Sequence, residues 1–531
     1  MSSLTATGAL ARFVLRRDRL RLVLWMAGIV ALIVVSGASL LGMYPDQAAI
    51  DGYVQLAGDN PALIAFAGPG YGFDDPTIGA ILVNETQLWG CIGTALMSIF
   101  LVTRGTRTEE DSERADLVRS GVVGRHSPVV ATIAVVAGAL LAVGVVCAVA
   151  FIALGYALTG SIALAASMVA VGWVFAGITA LAAQVASSAR ATIGLASTVL
   201  GVAFVLRAAG DIGDNWLSWT SPIGWAQAVR AFAGERWWTL LLCLAATVGL
   251  VVVTFLLAVR RDLGSGLISE RPGPAGARPG LSKPFGLALR LQRGPIVGWA
   301  IGLFVTGVVF GSLGNDIDEM IEDNPSFEDV FIQFGDASLT DAFFGTAMSM
   351  LAVVAGGFAV SSALTSRAEE SAGRAESILA APVGRMRWAG ASAVVAIGGT
   401  VSTIAAAGTG VGVAYAVITG DSGQVLRMLG SALVTIPAVL VLVGVTTAVF
   451  GWAPRFAPAA WAALAVIAVI TLFGDVLRLP QWIRWLSPLE HTPRAPAETV
   501  QLVPLATLTA VAAALGAAGL WGLQRRDLQL H

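Results

Sequence analysis

The chain has 531 residues, 56% of them hydrophobic and only 12% charged, with a net charge of −2. A soluble protein of this size carries about 25% charged residues, so the composition excludes a soluble enzyme or a nucleic-acid binder and leaves a multi-span membrane protein. The three cysteines, Cys91, Cys147 and Cys243, all lie in apolar stretches and read as small buried hydrophobes, not as a disulfide framework or metal set.

Arg12, Arg16, Arg17, Arg19 and Arg21 precede the first apolar run, which is longer than the h-region of a cleaved signal peptide. Residues 4–21 read as an interfacial amphipathic helix, with Leu10, Phe13 and Val14 toward lipid and the arginines toward headgroups. Apolar runs long enough to cross a ~30 Å bilayer as helices follow at 22–43, 80–103, 129–153, 160–186, 191–209 and 239–259. Six more lie at 296–313, 343–365, 389–418, 428–453, 457–476 and 501–523. With the N-terminus inside, cytoplasmic segments hold 25 of the 32 basic residues. The positive-inside rule then places both termini in the cytoplasm of a plasma-membrane protein.

The chain repeats itself. Residues 107–125, RTEEDSERADLVRSGVVGR, align without a gap on 367–385, RAEESAGRAESILAAPVGR. Arg107/Arg367, Glu109/Glu369, Glu110/Glu370, Arg114/Arg374 and Arg125/Arg385 are identical, and Asp116/Glu376 is conservative. Trp25 matches Trp299, Asp59-Asn60-Pro61 matches Asp323-Asn324-Pro325, and Gly210-Asp211 matches Gly474-Asp475. Trp216-x-x-Trp219-x-Ser221-Pro222 matches Trp482-x-x-Trp485-x-Ser487-Pro488, and Arg260-Arg261-Asp262-Leu263 matches Arg525-Arg526-Asp527-Leu528. Six spans is an even number, so both halves start on the same side and are parallel repeats. The expected fold is all-α, twelve transmembrane helices in two six-helix halves, 1–263 and 287–531, joined by a Gly- and Pro-rich cytoplasmic linker over 264–286. Each half carries a charged loop helix between its second and third spans.

Those loop helices are the foremost candidate site. Glu110/Arg114 and Glu370/Arg374 stand at i, i+4 with the acid N-terminal, the favourable orientation for a surface ion pair. Charge alone would serve to solvate a loop, but recurrence of the same residues suggests two equivalent docking points for a soluble partner. Candidates for contact are Arg107, Glu109, Glu110, Arg114, Asp116 and Arg125, with Arg367, Glu369, Glu370, Arg374, Glu376 and Arg385.

No catalytic or metal constellation is legible. The single lysine, Lys283, is followed by Pro284, so no G-x-x-x-x-G-K-[ST] phosphate loop exists on this chain. His126, His491 and His531 lack metal-ligand spacing. The acidic stretch 316–329 lacks the glycine and oxygen ligands of a calcium loop and reads as a solvated outer segment.

Polar and aromatic groups in the spans mark a possible pathway. Glu85 opens the second span with Trp89 one turn on, and lies ~28 Å of helix from Arg104, near the outer interface. Trp25 and Trp299 serve either as walls for an apolar substrate or as interface anchors. Asp211 and Asp475 stand beside Arg207 and Arg478 at the outer ends of spans five and eleven, where an Arg–Asp tie is the simplest reading. Trp216, Trp219, Trp482 and Trp485 read as interfacial or re-entrant outer helices, and with Arg207, Asp211 and Asp475 are candidates for an outer gate.

An N-terminal amphipathic helix, six spans and a Glu-Glu helix between spans two and three that ends near Pro-Val-Gly-Arg resemble ABC-2-type permeases. Glu369-Glu370-x-x-Gly373 and Pro382-Val383-x-Arg385 carry the resemblance, and the first half departs from it with Glu113 and Val122. The fused 6+6 layout is similar to actinobacterial permeases for polyketide antibiotics of the tetronasin type. The resemblance implies that each loop helix is a coupling helix seated in a cleft of an ATP-binding subunit, with ATP and Mg held by that subunit and no cofactor on this chain. It also implies two ATP-binding copies per chain, export of a hydrophobic or amphipathic compound, and outer helices that cap the pathway. A major-facilitator-type transporter shares the 6+6 layout but needs a G-x-x-x-D-R-x-G-R-like loop that 104–127 does not supply. A lipid- or polysaccharide-export component would need a polar cluster in the spans.

Overall fold

The computed structural model describes residues 3–58, 61–112, 114–259, 266–267, 276, 279–314, 339–473 and 479–527. Among these residues it is helical throughout, with no strand, and twelve helices are long and apolar enough to cross a membrane. The chain divides into two compact units, Met1–Gly273 and Pro274–His531. Most of the expected 264–286 linker, the acidic stretch 316–329, Glu113 and Asp475 lie outside the described residues.

The first unit opens with α1, Thr7–Met43, one unbroken helix of roughly 55 Å at 1.5 Å per residue. The expected separation into an interfacial helix and a span is therefore corrected. No proline or glycine stands between Gly8 and Gly28, so nothing stops propagation. The one acidic residue in the basic stretch, Asp18, is buried and neutralised by Arg17, Arg21 and Arg104 at 2.7, 3.4 and 2.7 Å.

After α1 come α2 (Gln47–Ala57), capped by the Asp46 carboxylate on the Ala49 N–H, and α3 (Pro61–Ala67). The remaining elements are α4 (Ile78–Gly105), the short α5 (Arg107–Asp111) and α6 (Arg114–Arg119), α7 (Ser127–Ala153) and α8 (Leu158–Val185). Then follow α9 (Ala189–Ile212), a 3-10 turn at Trp216–Thr220, α10 (Pro222–Gln227) and α11 (Thr239–Ala258). The centre is α4 against α8, whose apolar windows are 72% and 78% buried, against 11% for α11. Lipid is as apolar as leucine, so packing and hydrogen bonds must hold such helices together. Thr94 and Ser98 of α4 accordingly donate to the Met168 and Gly172 carbonyls of α8 at 2.8 and 2.7 Å.

The second unit comprises α12 (Pro284–Ser312), α13 (Leu339–Ala363), the short α14 (Thr365–Ser371) and α15 (Arg374–Leu379), and α16 (Arg385–Thr419). It continues with α17 (Gly423–Leu433), α18 (Ile436–Trp452), α19 (Ala460–Phe473), α20 (Gln481–Arg484) and α21 (Leu502–Arg525). The helix α12 lies directly on α16, because Gly307 and Gly311 face the backbone at Ala407 and Val411 where a Cβ would collide. The expected span 428–453 is split at Val434–Thr435, just ahead of Pro437. Proline has no N–H to continue the helix but is well suited to begin one.

Candidate functional site

The two loop helices differ from the sequence expectation in one respect that matters: much of their recurring charge points inward. In the first unit, Arg107 is fully buried. It pairs with Glu110 at 2.9 Å and Asp111 at 3.4 Å, and donates to the Ser187 carbonyl at 2.5 Å. Asp111 in turn accepts from the Ala189 N–H at the start of α9, at 2.7 Å. Glu109 binds Arg17 of α1 at 2.9 Å. The short α5 is thus tied to the first helix and to the α8–α9 turn. Backbone bonds from Gly124 to Thr5 and from His126 to Ser3, at 3.0 and 3.1 Å, close the other end. Leu10, Phe13 and Val14 line a crevice with Ala115 and Val118 of α6 and Val129 of α7, where lipid contact was expected.

In the second unit the keystone is Arg526. Its guanidinium makes a bidentate pair with the fully buried Glu370, both bonds 2.7 Å, donates to the Gly451 carbonyl at 3.1 Å and lies over the Phe450 ring. Arg385 donates to the Arg526 carbonyl at 2.8 Å, and Arg125 in the first unit donates to the Ala258 carbonyl at 2.7 Å. Both arginines therefore cap the carbonyl end of the last span of their own unit, which satisfies an orphan acceptor and the negative end of the helix dipole. Arg367 is half-buried beneath its loop.

The expected Glu110–Arg114 and Glu370–Arg374 pairs do not form among the described residues. Arg374 meets Glu369 instead, at 3.0 Å. Each loop is two short helices, not one, so i and i+4 do not share a continuous face. In the second unit the break falls at Gly373, whose φ of +71° suits glycine. Glu113, its counterpart, lies outside the described residues.

What remains on the surface is the second short helix and the turn after it. Arg114, Asp116, Leu117, Val122 and Arg125 are exposed in the first unit, and Arg374, Glu376, Ser377 and Pro382 in the second. Leu117 and Val122 are 77% and 70% exposed, a high value for aliphatic side chains on a loop. The inner face of α15 is apolar and packed, with Ala375 against Trp388, Phe450 and Leu523.

At the opposite end of the first unit, Arg207 and Asp211 form the expected tie at 3.3 Å. Arg207, fully buried, also donates to the Ile64 and Ala65 carbonyls at 3.3 and 2.6 Å, which clips α3 over the bundle. Ser218 donates to Asp211 at 2.6 Å. Trp216 is exposed, and Trp219 stacks on Trp238. In the second unit Trp482 and Trp485 are exposed, and Arg484 pairs with Glu490 at 2.9 Å. Trp25 stacks on Phe100, while Trp299 meets Phe358 edge-on, so each touches the second span of its own unit. Glu85 and Trp89 are exposed on α4. Tyr53 of α2 reaches Asn84 and Glu85 at 2.7 and 2.8 Å. Burial, and next the Glu85 carboxylate, push the Tyr53 phenol up from its ordinary value, so it stays protonated and donates.

Sequence reasoning missed Asp18 and Tyr53. Asp18 had a signal, being one acid among five arginines. Tyr53 had none; Gln87, a polar residue in the opening turns of the second span, bridges Ser167 and the Ala226 carbonyl at 2.9 and 3.0 Å. Among the described residues no cluster of His, Cys, Asp and Glu is disposed to hold a metal.

Residues 281–524 match the family model described as the C-terminal domain of the multidrug efflux system permease Rv1217c. The multidrug efflux system permease protein Rv1217c of Mycobacterium tuberculosis is 39% identical over 483 residues, covering 90% of this chain and 87% of that protein. With that identity along nearly the full length of both, the chain belongs to the multidrug efflux system permease family.

Proposed function

We propose that this chain is the membrane permease of an ATP-driven exporter of drugs, antibiotics or other amphipathic compounds, energised by a separate ATP-binding subunit that holds ATP and Mg. Its units are two parallel six-span repeats with both termini cytoplasmic. The helix pairs α5–α6 and α14–α15 are coupling helices, one for each of two copies of a single ATP-binding species. The observation that carries this reading is the design shared by the two loops. In each, one short helix is pinned by buried charge to the spans, and the next presents an outer face to solvent. A pinned helix transmits displacement to the bundle, whereas a merely solvating loop needs no buried ties. Direct contact falls to Arg114, Asp116, Leu117, Val122 and Arg125, and to Arg374, Glu376, Ser377 and Pro382. Arg107, Glu109, Glu110, Glu369, Glu370 and Arg385 hold those faces in place.

Closure of the ATP-binding subunits would push both loops and rock the halves. Trp25, Glu85 and Trp89 in the first unit, and Trp299 in the second, are the candidate pathway residues; the outer caps around Arg207, Asp211, Trp216 and Trp219, and around Trp482 and Trp485, are the candidate gates. Polyketide-like antibiotics of the tetronasin type suit apolar walls of this kind. A major-facilitator mechanism has no use for paired, pinned loop helices. The purified chain alone is expected to show no ATP hydrolysis, and hydrolysis stimulated by drug is expected once the ATP-binding subunit is co-expressed. Hydrolysis by the rigorously purified chain would contradict the reading.

A further inference from the structure

Of all residues in α4, only Glu85, Trp89 and Phe100 are exposed. Their spacings of four and eleven residues put them on one face of the helix. The rest of the polar run is turned inward and bonded. Thr86 donates to the Leu82 carbonyl, Gln87 to Ser167 and Ala226, and Asn84 to the Gly68 carbonyl. Glu85 is the one polar side chain in this run that is exposed. Among the described residues no guanidinium or ammonium lies within ion-pair distance of it, and its hydrogen bond comes from the neutral Tyr53 hydroxyl. An ionisable group within a span is costly in lipid, and such groups mark water-filled paths or ligand sites.

Aromatic rings flank that carboxylate. Trp89, 41% exposed, stands one turn away, about 6 Å along the helix, and Phe66 of α3 meets it edge-on at 5.1 Å. Further along the same face Phe100 stacks with Trp25. A carboxylate beside open indole and phenyl faces attracts a cation twice, through its charge and through the ring quadrupoles. The corresponding helix of the second unit, α13, exposes Thr346, Met350, Val354 and Ser361 among its described residues, none of them ionisable. Its acidic residue, Asp341, is paired with Arg427 at 2.7 Å.

We propose that the α4 face built from Glu85, Trp89 and Phe66 is a binding site for lipophilic monocations, with the cationic centre at Glu85 and the apolar body on Trp89. Among the described residues the second unit has no counterpart of this site. The assignment rests on the reading of this chain as a drug permease and names the substrate class.

Tetraphenylphosphonium and tetraphenylborate are probes of the same shape and opposite charge. Their binding to the full purified chain in zwitterionic detergent can be followed by quenching of tryptophan fluorescence. The wild-type chain is expected to prefer the phosphonium. Glu85→Gln is expected to shrink the phosphonium-to-borate affinity ratio by about tenfold. Glu85→Asp, which keeps the charge, is expected to hold most of the preference, and Trp89→Ala to weaken both ions, the phosphonium more than the borate. No preference in the wild type, or an unchanged ratio in Glu85→Gln, would overturn the assignment. Loss of the ratio in Glu85→Asp as fully as in Glu85→Gln would also overturn it, since charge would then not be the cause. The measurement needs no ATP-binding subunit, so failure of the loop-docking reading leaves its result intact.

Discussion

Replacing Glu370 by alanine is expected to destabilise the second unit by about 2–4 kcal/mol, among the largest single effects available on this chain. The carboxylate is fully buried and holds both nitrogens of the Arg526 fork at 2.7 Å. Removal leaves that guanidinium beside Phe450 and the Gly451 carbonyl with its charge uncompensated. Because Arg526 is itself 14% exposed, some water reaches it, and the cost sits below that of a wholly enclosed ion. The loop would also lose its link to the end of the last span. Glu369→Ala is the control: its partner Arg374 is 54% exposed, and such a pair contributes about 0–1 kcal/mol. Thermal unfolding in detergent reads the difference. Equal shifts for the two variants would show that burial does not distinguish them.

The second large effect is on export. Leu117→Asp combined with Val122→Asp is expected to reduce co-purification of the ATP-binding subunit, and drug export with it, by more than about tenfold. Two aliphatic side chains at 77% and 70% exposure are what a partner cleft would desolvate, and the central residues of such a contact cost about 2 kcal/mol or more when lost. Unfolding temperature should stay at the wild-type value, because neither side chain packs within the unit. Export at wild-type level from the double variant would place the contact elsewhere.

The spans were legible because lipid allows only helices and a bilayer sets their length. Twelve apolar runs became twelve candidate spans among the described residues. The loop helices were legible through recurrence of Arg107–Arg125 at Arg367–Arg385. The direction of their side chains was not. A recurring glutamate fits a docking contact and a buried tie equally well, because selection preserves both. Glu110 and Glu370 look alike in sequence, yet one meets Arg107 and the other Arg526, a residue 156 positions away. No local pattern reports such a partner. The continuity of α1 was hidden for a related reason. A basic stretch ahead of an apolar run suggests a change of environment, but helix ends are set by breakers and caps, and none is present there. The Arg207–Asp211 tie could be read directly, since its members stand at i, i+4 on one unbroken helix.

On the proposed function, one chain with two coupling loops receives two copies of one ATP-binding subunit. Native mass spectrometry of the co-expressed, detergent-extracted complex tests it most directly. One copy of this chain with two identical ATP-binding chains is expected, falling to one ATP-binding chain or none when Leu117 and Val122 are replaced by aspartate. Two copies of this chain in the complex, two different ATP-binding polypeptides, or a mass unchanged by the loop variant would contradict it.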